Sequence, residues 1–214
     1  RLPKAEAPEP KRFVQEQAER RVAIKEKKTD QTQLMIGVPG YPYLHKDEYA
    51  LAVLATLLGG GMSSRLFTEV REKRGLAYSV HAWIEKFPDT GYFAVQAGVE
   101  HGKLQKAVET ILAELRKVRA KKVPAAELAK AKAYLKGTTT LSLETSDEIA
   151  QGALTSLLEI GKIRSLEERL KNIDKVTAAD LQRVAKDIFR TEKLNLAVIG
   201  PHPDLEKFRP LLKV

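Results

Sequence analysis

The chain has 214 residues, 43% of them hydrophobic and 30% charged, with 37 Lys plus Arg against 28 Asp plus Glu. That length and apolar share support a buried core in one large domain or two small ones, which excludes whole-chain disorder and collagen-like repetition. The lack of cysteine excludes disulfide scaffolds, thiolate zinc sites and cysteine nucleophiles, and no apolar run reaches the ~18 residues of a membrane-spanning helix.

The chain begins Arg1-Leu2-Pro3, without Met or a signal-peptide core, and so reads as a processed chain or a piece of a longer one. It is expected to be soluble, with cytoplasm and periplasm both open. Residues 1–21 carry Pro3, Pro8, Pro10 and dense mixed charge, and read as an inter-domain linker leading into a domain over 22–214. Val22 to Ile24 and Gln33 to Val38 read as two strands, broken at Lys28-Thr29-Asp30, with a turn at Pro39-Gly40-Tyr41-Pro42. From Asp47 to Leu58, Ala50, Leu51, Leu54, Leu57 and Leu58 recur at helical spacing. Gly59-Gly60-Gly61 stops that helix, and Ser63 is placed to cap the next, which turns Leu66, Phe67 and Val70 inward.

Gly75 ends the helical pattern, and Ala77 to Phe87 alternates as a strand. Strict alternation puts Tyr78, Val80, Ala82 and Ile84 on one face and Ser79, His81, Trp83 and Glu85 on the other. Pro88 to Gly91 is a hairpin turn into a strand over Tyr92–Val99. Leu104, Val108, Ile111, Leu115 and Val118 define a long amphipathic helix, and Pro124 opens another through Leu128, Ala131 and Leu135. Ser146 to Ile160 forms a helix ending at Gly161. Ser165 to Glu168 has capping-box spacing, and Thr177 to Asp180 is a related acidic start to a last helix with Leu181, Val184, Ala185 and Ile188 inward. A final strand runs from Leu194 to Ile199. Hairpins and non-alternating order indicate an α+β domain: a mostly antiparallel or mixed sheet of about five or six strands, with helices packed on one side.

The net charge of +9 gathers between Lys103 and Lys136, where ten basic residues face three acidic ones. Those lysines and arginines lie on helices whose other faces are apolar, with no interleaved aromatics for base stacking. They read as solvated helix faces; a basic nucleic-acid-binding module is the alternative. His45, His81, His101 and His202 are scattered, and none forms the i, i+4 pair of a helical zinc motif. No Gly-x-Ser-x-Gly elbow appears, and the glycine run lacks the Gly-Lys-Ser/Thr ending of a phosphate loop.

The most informative stretch is Leu57 to Val80. Its Gly59-Gly60-Gly61-Met62-Ser63-Ser64-Arg65-Leu66 and Arg74-Gly75-Leu76-Ala77-Tyr78 segments resemble the signature of the C-terminal, non-zinc half of the pitrilysin-type (M16) metallopeptidases. The likeness is to the bacterial and mitochondrial-processing-peptidase branch, with its LuxS/MPP-like fold, and covers nearly all of the chain. Gly37-Val38-Pro39-Gly40 resembles the second strand and its turn, and Ile173 to Thr177 the late helical region.

The resemblance implies a half-enzyme of M16B type. In that family one half carries an inverted zinc motif, His-x-x-Glu-His, which has no match in this sequence. The other half supplies an Arg and a Tyr seven residues apart, here Arg71 and Tyr78, towards the substrate. Gly59, Gly60 and Gly61 match a segment resembling a substrate-contacting loop, and Arg65 is given an anchoring role. The implied partners are a zinc-bearing N-terminal half, upstream or separate, and a peptide substrate. No cofactor, metal ligand, nucleic acid or membrane span is assigned to this chain, which alone is expected to be inactive. A non-catalytic core or scaffold subunit of the same superfamily is the alternative, in which Arg71 forms a surface ion pair and Tyr78 is an ordinary strand aromatic.

Overall fold

The computed structural model describes residues 11–204 and 206–214. Pro3, Pro8 and Pro10 of the expected linker lie outside them. Five short runs of alternating apolar residues form the sheet: β1 (Arg21–Glu26), β2 (Thr32–Pro39), β3 (Ala77–Lys86), β4 (Gly91–Val99) and β5 (Asn195–Gly200). Their order is β1-β5-β2-β4-β3, with β1 parallel to β5 and the other pairs antiparallel. The sheet is therefore mixed, and β3 is an edge strand.

Among the described residues six α-helices accompany it: α1 (Glu48–Gly59), α2 (Leu104–Ala120), α3 (Ala125–Leu141), α4 (Ser146–Ile160), α5 (Leu166–Lys175) and α6 (Ala178–Ile188). The strand period of two sends Leu34, Ile36, Val38, Phe93, Val95, Ala97, Leu196 and Val198 to one face. There they join one buried cluster with Leu54 and Leu58 of α1, Val108 and Ile111 of α2, and Leu181 and Val184 of α6. Phe93 meets Phe189 edge to face at 5.0 Å, tying β4 to the end of α6. Charge-assisted pairs lock the helices together: Arg183 donates two bonds to Asp47, at 2.6 and 2.7 Å, joining α6 to the start of α1. Those bonds hold the Asp47 carboxyl below its ordinary pKa. The opposite sheet face, carrying Met35, His81, Tyr92, Ala197 and Ile199, stays open.

The helix boundaries follow the local signals. Gly161 adopts the left-handed conformation that ends α4, and Thr177 and Asp180 complete a reciprocal capping box at α6. Ser165 accepts from the Glu168 N–H, and Thr145 with Glu148 forms a full box at the start of α4.

Two local expectations are corrected. Ser63 does not cap the segment after the glycines. Ser64 adjoins the first helical turn instead, and its buried hydroxyl has no hydrogen-bond partner. The turn itself is a π-helix over Phe67–Glu72. The second correction concerns β3, whose alternation is broken by a β-bulge: Ala77 pairs with Val99 but Ser79 with Gly98, leaving Tyr78 as the extra residue. Ala77 and Val80 both face the core, while Tyr78 and Ser79 are both exposed, so Tyr78 does not share the face of Val80 and Ala82.

Residues 11–20, before β1, lie against the domain without helix or strand. The Phe13 N–H donates to Asp89 Oδ2, and Gln17 is buried, donating to the carbonyl of Glu192 and accepting from Asn195.

Candidate functional site

Arg71 sits in the π-helical turn and Tyr78 second in β3, so the two flank one bend. Leu76 N–H donates to the Val70 carbonyl and Gly75 N–H to that of Arg71, closing the bend. Gly75 takes φ +55°, a left-handed conformation that costs a residue with a Cβ roughly 1–2 kcal/mol.

The surroundings of Arg71 leave its guanidinium uncommitted. Two acids lie near it in sequence: Glu69 is taken up by Lys73 at 2.6 Å and Arg74 at 2.5 Å, and the adjacent Glu72 forms no ion pair with it. Those two cations hold the Glu69 carboxyl down at about 2. Among the described residues Arg71 forms no ion pair; its guanidinium lies over the Phe67 ring, 4.9 Å from the centroid. Phe67 is half-buried and stands four residues before Arg71, the helical spacing that sets a ring beneath the guanidinium. Tyr78 is 55% exposed and makes no hydrogen bond among the described residues. Two strong donors thus stand unspent at one end of an edge strand.

The glycines divide. Gly59 is buried behind β3, where a Cβ would come within 2.3 Å of the Ala82 backbone nitrogen. Gly60 and Gly61 are half-exposed, and a Cβ on Gly61 would press on the Tyr134 ring of α3 at 2.9 Å. Arg65 anchors the same segment, donating to Glu127 of α3 through Nε at 2.6 Å and Nη2 at 2.7 Å.

The histidines occupy separate structural posts. His45 stacks on Tyr41 at 4.0 Å and accepts from the Asp47 N–H. His81 lies beside Trp83 on the open sheet face. His101 and His202 both bond the Thr32 hydroxyl, at 2.8 and 2.7 Å. Among the described residues no group of three or more His, Asp or Glu side chains is arranged to hold a metal ion.

Residues 1–135 match the family described as the peptidase M16 inactive domain. The chain belongs to the M16 peptidases. It is 38% identical over 189 residues to an uncharacterized zinc protease of Streptomyces coelicolor, covering 88% of this chain and 41% of that protein. The uncharacterized zinc protease YmxG of Bacillus subtilis is 35% identical over 178 residues, covering 83% of this chain and 43% of YmxG. Among solved structures, a protease from Helicobacter pylori superposes with a TM-score of 0.82 at 27% identity, over 94% of this chain and 48% of that one. The M16 chain therefore spans about two fifths of the length of the two curated relatives and about half of the H. pylori chain. The α+β architecture, a five-stranded mixed sheet with helices, is that of its M16 neighbours. Among the described residues no helix is long and apolar enough to cross a membrane.

Proposed function

We propose that this M16 domain is the C-terminal half of an M16B-type zinc peptidase and donates Arg71 and Tyr78 to the transition state of peptide hydrolysis. The observation that carries the reading is the unspent pair itself. Among the described residues Arg71 is stacked on Phe67 and forms no ion pair, and the bulge at Tyr78 delivers a phenol to the open side of the strand.

Peptide hydrolysis builds negative charge on the former carbonyl oxygen, and a guanidinium or phenol aimed at that oxygen stabilises it. Zinc and the general-base Glu belong, on this reading, to the partner half, either upstream in the same polypeptide or a separate subunit. This chain contributes one wall of the peptide chamber and the two donors. Gly60 and Gly61 offer half-exposed backbone to substrate, whereas Gly59 serves by letting α1 approach β3. The basic helix faces lend little support to a nucleic-acid module, since Lys103, Lys106, Lys117 and Lys136 each pair with an acid.

The test uses the assembled pair of halves. Tyr78→Phe is expected to lower kcat by about 10²–10³, the loss of roughly 2.7–4 kcal/mol typical of one oxyanion donor, with the melting temperature unchanged. Full activity in Tyr78→Phe and in Arg71→Ala would leave only the scaffold reading.

A further inference from the structure

The open sheet face holds a feature that the donor pair leaves unexplained: a groove of about 600 Å³ at the far end of β4. Its floor is made of Gly37, Ala94 and Ala197, with Met35 beside them, on three neighbouring strands. Gly37 of β2 pairs with Ala94 of β4, and Ala197 of β5 pairs with Met35 of β2. Its walls are aromatic: Phe87 and Tyr92 lie 6.4 Å apart on one side, and Phe13 on the pre-strand segment closes another. The wall that Phe13 provides is fixed, because the Phe13 N–H is bonded to Asp89 and Gln17 is held by Glu192 and Asn195. A small floor between aromatic walls makes a slot for one bulky apolar side chain.

The groove shares the open side of the sheet with Tyr78. Ser79 stands opposite Gly98 and Glu85 opposite Tyr92, so six residues of β3 separate the phenol from the groove. At the rise of an extended strand that is roughly 20 Å. The lane between carries His81 and Trp83 of β3 and Gln96 of β4 on the same face.

We infer that the groove is a remote substrate subsite, which takes a bulky apolar side chain of an extended peptide about six residues from the bond being cleaved. The inference rests on the catalytic reading of Tyr78, because that residue sets the zero of the distance. Without the bulge Tyr78 would turn to the core, and donor and groove would lie on opposite faces of one sheet. The substrate class that follows is an extended segment of some eight or more residues with an aliphatic or aromatic anchor. Dipeptides and short polar peptides fall outside it.

The experiment uses the assembled two-half protein and a series of fluorogenic peptides in which a single Leu is walked from the third to the ninth position on either side of the scissile bond. KM should be lowest with Leu near the sixth position on one side. Met35→Lys, at a partly exposed floor position, should raise KM for that peptide at least tenfold and leave peptides too short to reach the groove unchanged. Ala197→Leu, which fills the groove without adding charge, should do the same. A KM independent of Leu position overturns the inference, as does an equal effect of both variants on short and long peptides. Loss of pairing between the halves in either variant, read by gel filtration, also overturns it, because the groove would then be covered by the partner half. Tyr78→Phe serves as the separate control: if it leaves kcat unchanged on every peptide the catalytic reading fails, whatever the KM pattern of the groove.

Discussion

Gly59 packs so closely on Ala82 that a Cβ at Gly59 would lie 2.3 Å from the Ala82 nitrogen and 2.7 Å from its Cβ. The last turn of α1 therefore rests on the backbone of β3, and the atoms in the way belong to a paired strand that cannot yield as a side-chain tip does. Gly59→Ala is expected to destabilise the domain by roughly 1–3 kcal/mol. Thermal melting reads this directly: at this chain length each kcal/mol moves the midpoint by about 2–4 °C. A melting temperature equal to that of the unaltered chain would contradict the packing.

Arg65 and Glu127 form a two-pronged pair between the glycine segment and α3, with about a fifth of the arginine side chain and a quarter of the glutamate exposed. Lysine cannot reproduce the fork. Arg65→Lys and Glu127→Gln should each cost about 1.5–3 kcal/mol, towards the lower end because water reaches the pair. A double-mutant cycle by urea unfolding should show coupling between the two sites; strict additivity would mean the pair contributes nothing.

The bulge in β3 decides where Tyr78 points, so the inserted residue matters more than its chemistry. Ser79→Ala keeps the register and should leave both stability and the activity of the assembled pair within about twofold. Deleting Ser79 closes the bulge and sets Tyr78 opposite Gly98 in a regular strand, still on the open face but without the local bend that carries the phenol relative to Arg71. That deletion should abolish turnover even where circular dichroism still reports a folded sheet. Retained turnover would show that the bulge does not set the position of the phenol.

Thr32, His101 and His202 form a hydrogen-bonded chain, buried at Thr32 and His202 and half-buried at His101, whose polarity is set by its end. His101 Nε2 donates to the Thr29 carbonyl, so its Nδ1 accepts from the Thr32 hydroxyl, and Thr32 Oγ1 accepts from His202 Nε2–H. Burial lowers the His202 pKa, with Lys207 and His101 adding to the effect. The unfolded chain therefore binds the proton first as pH falls below about 6.5, which makes stability decline with acidity until the folded imidazole also titrates. Melting curves between pH 7.5 and 5 should show this slope, and His202→Gln should flatten it. An unchanged slope in that variant would assign the effect to other groups.

Much of the fold was legible because its signals are local. Leu104, Val108, Ile111, Leu115 and Val118 recur at helical spacing and all five are buried. Gly161 ends its helix, and Thr177 with Asp180 starts the next, through contacts spanning a single turn. The family was legible for the same reason, since the glycine segment and the Arg74 to Tyr78 segment form one short stretch of chain.

The state of the donors was not legible. Glu69 and Glu72 both stand near Arg71 in the chain, and only the structure shows Glu69 paired with Lys73 and Arg74 while Arg71 lies over Phe67. The groove likewise draws on Phe13, Met35, Tyr92 and Ala197, which are far apart in the chain and come together only when β5 inserts between β1 and β2.

The sequence by itself determined the α+β class, the helices and strands, and membership of a family whose zinc motif this chain lacks. Only the tertiary structure decided which way Tyr78 faces. A bulge is a mismatch between two strands, and Tyr78 is the extra residue only because Ala77 and Ser79 pair with Val99 and Gly98, some twenty residues further along. Periodicity within one strand cannot record a register that its partner imposes.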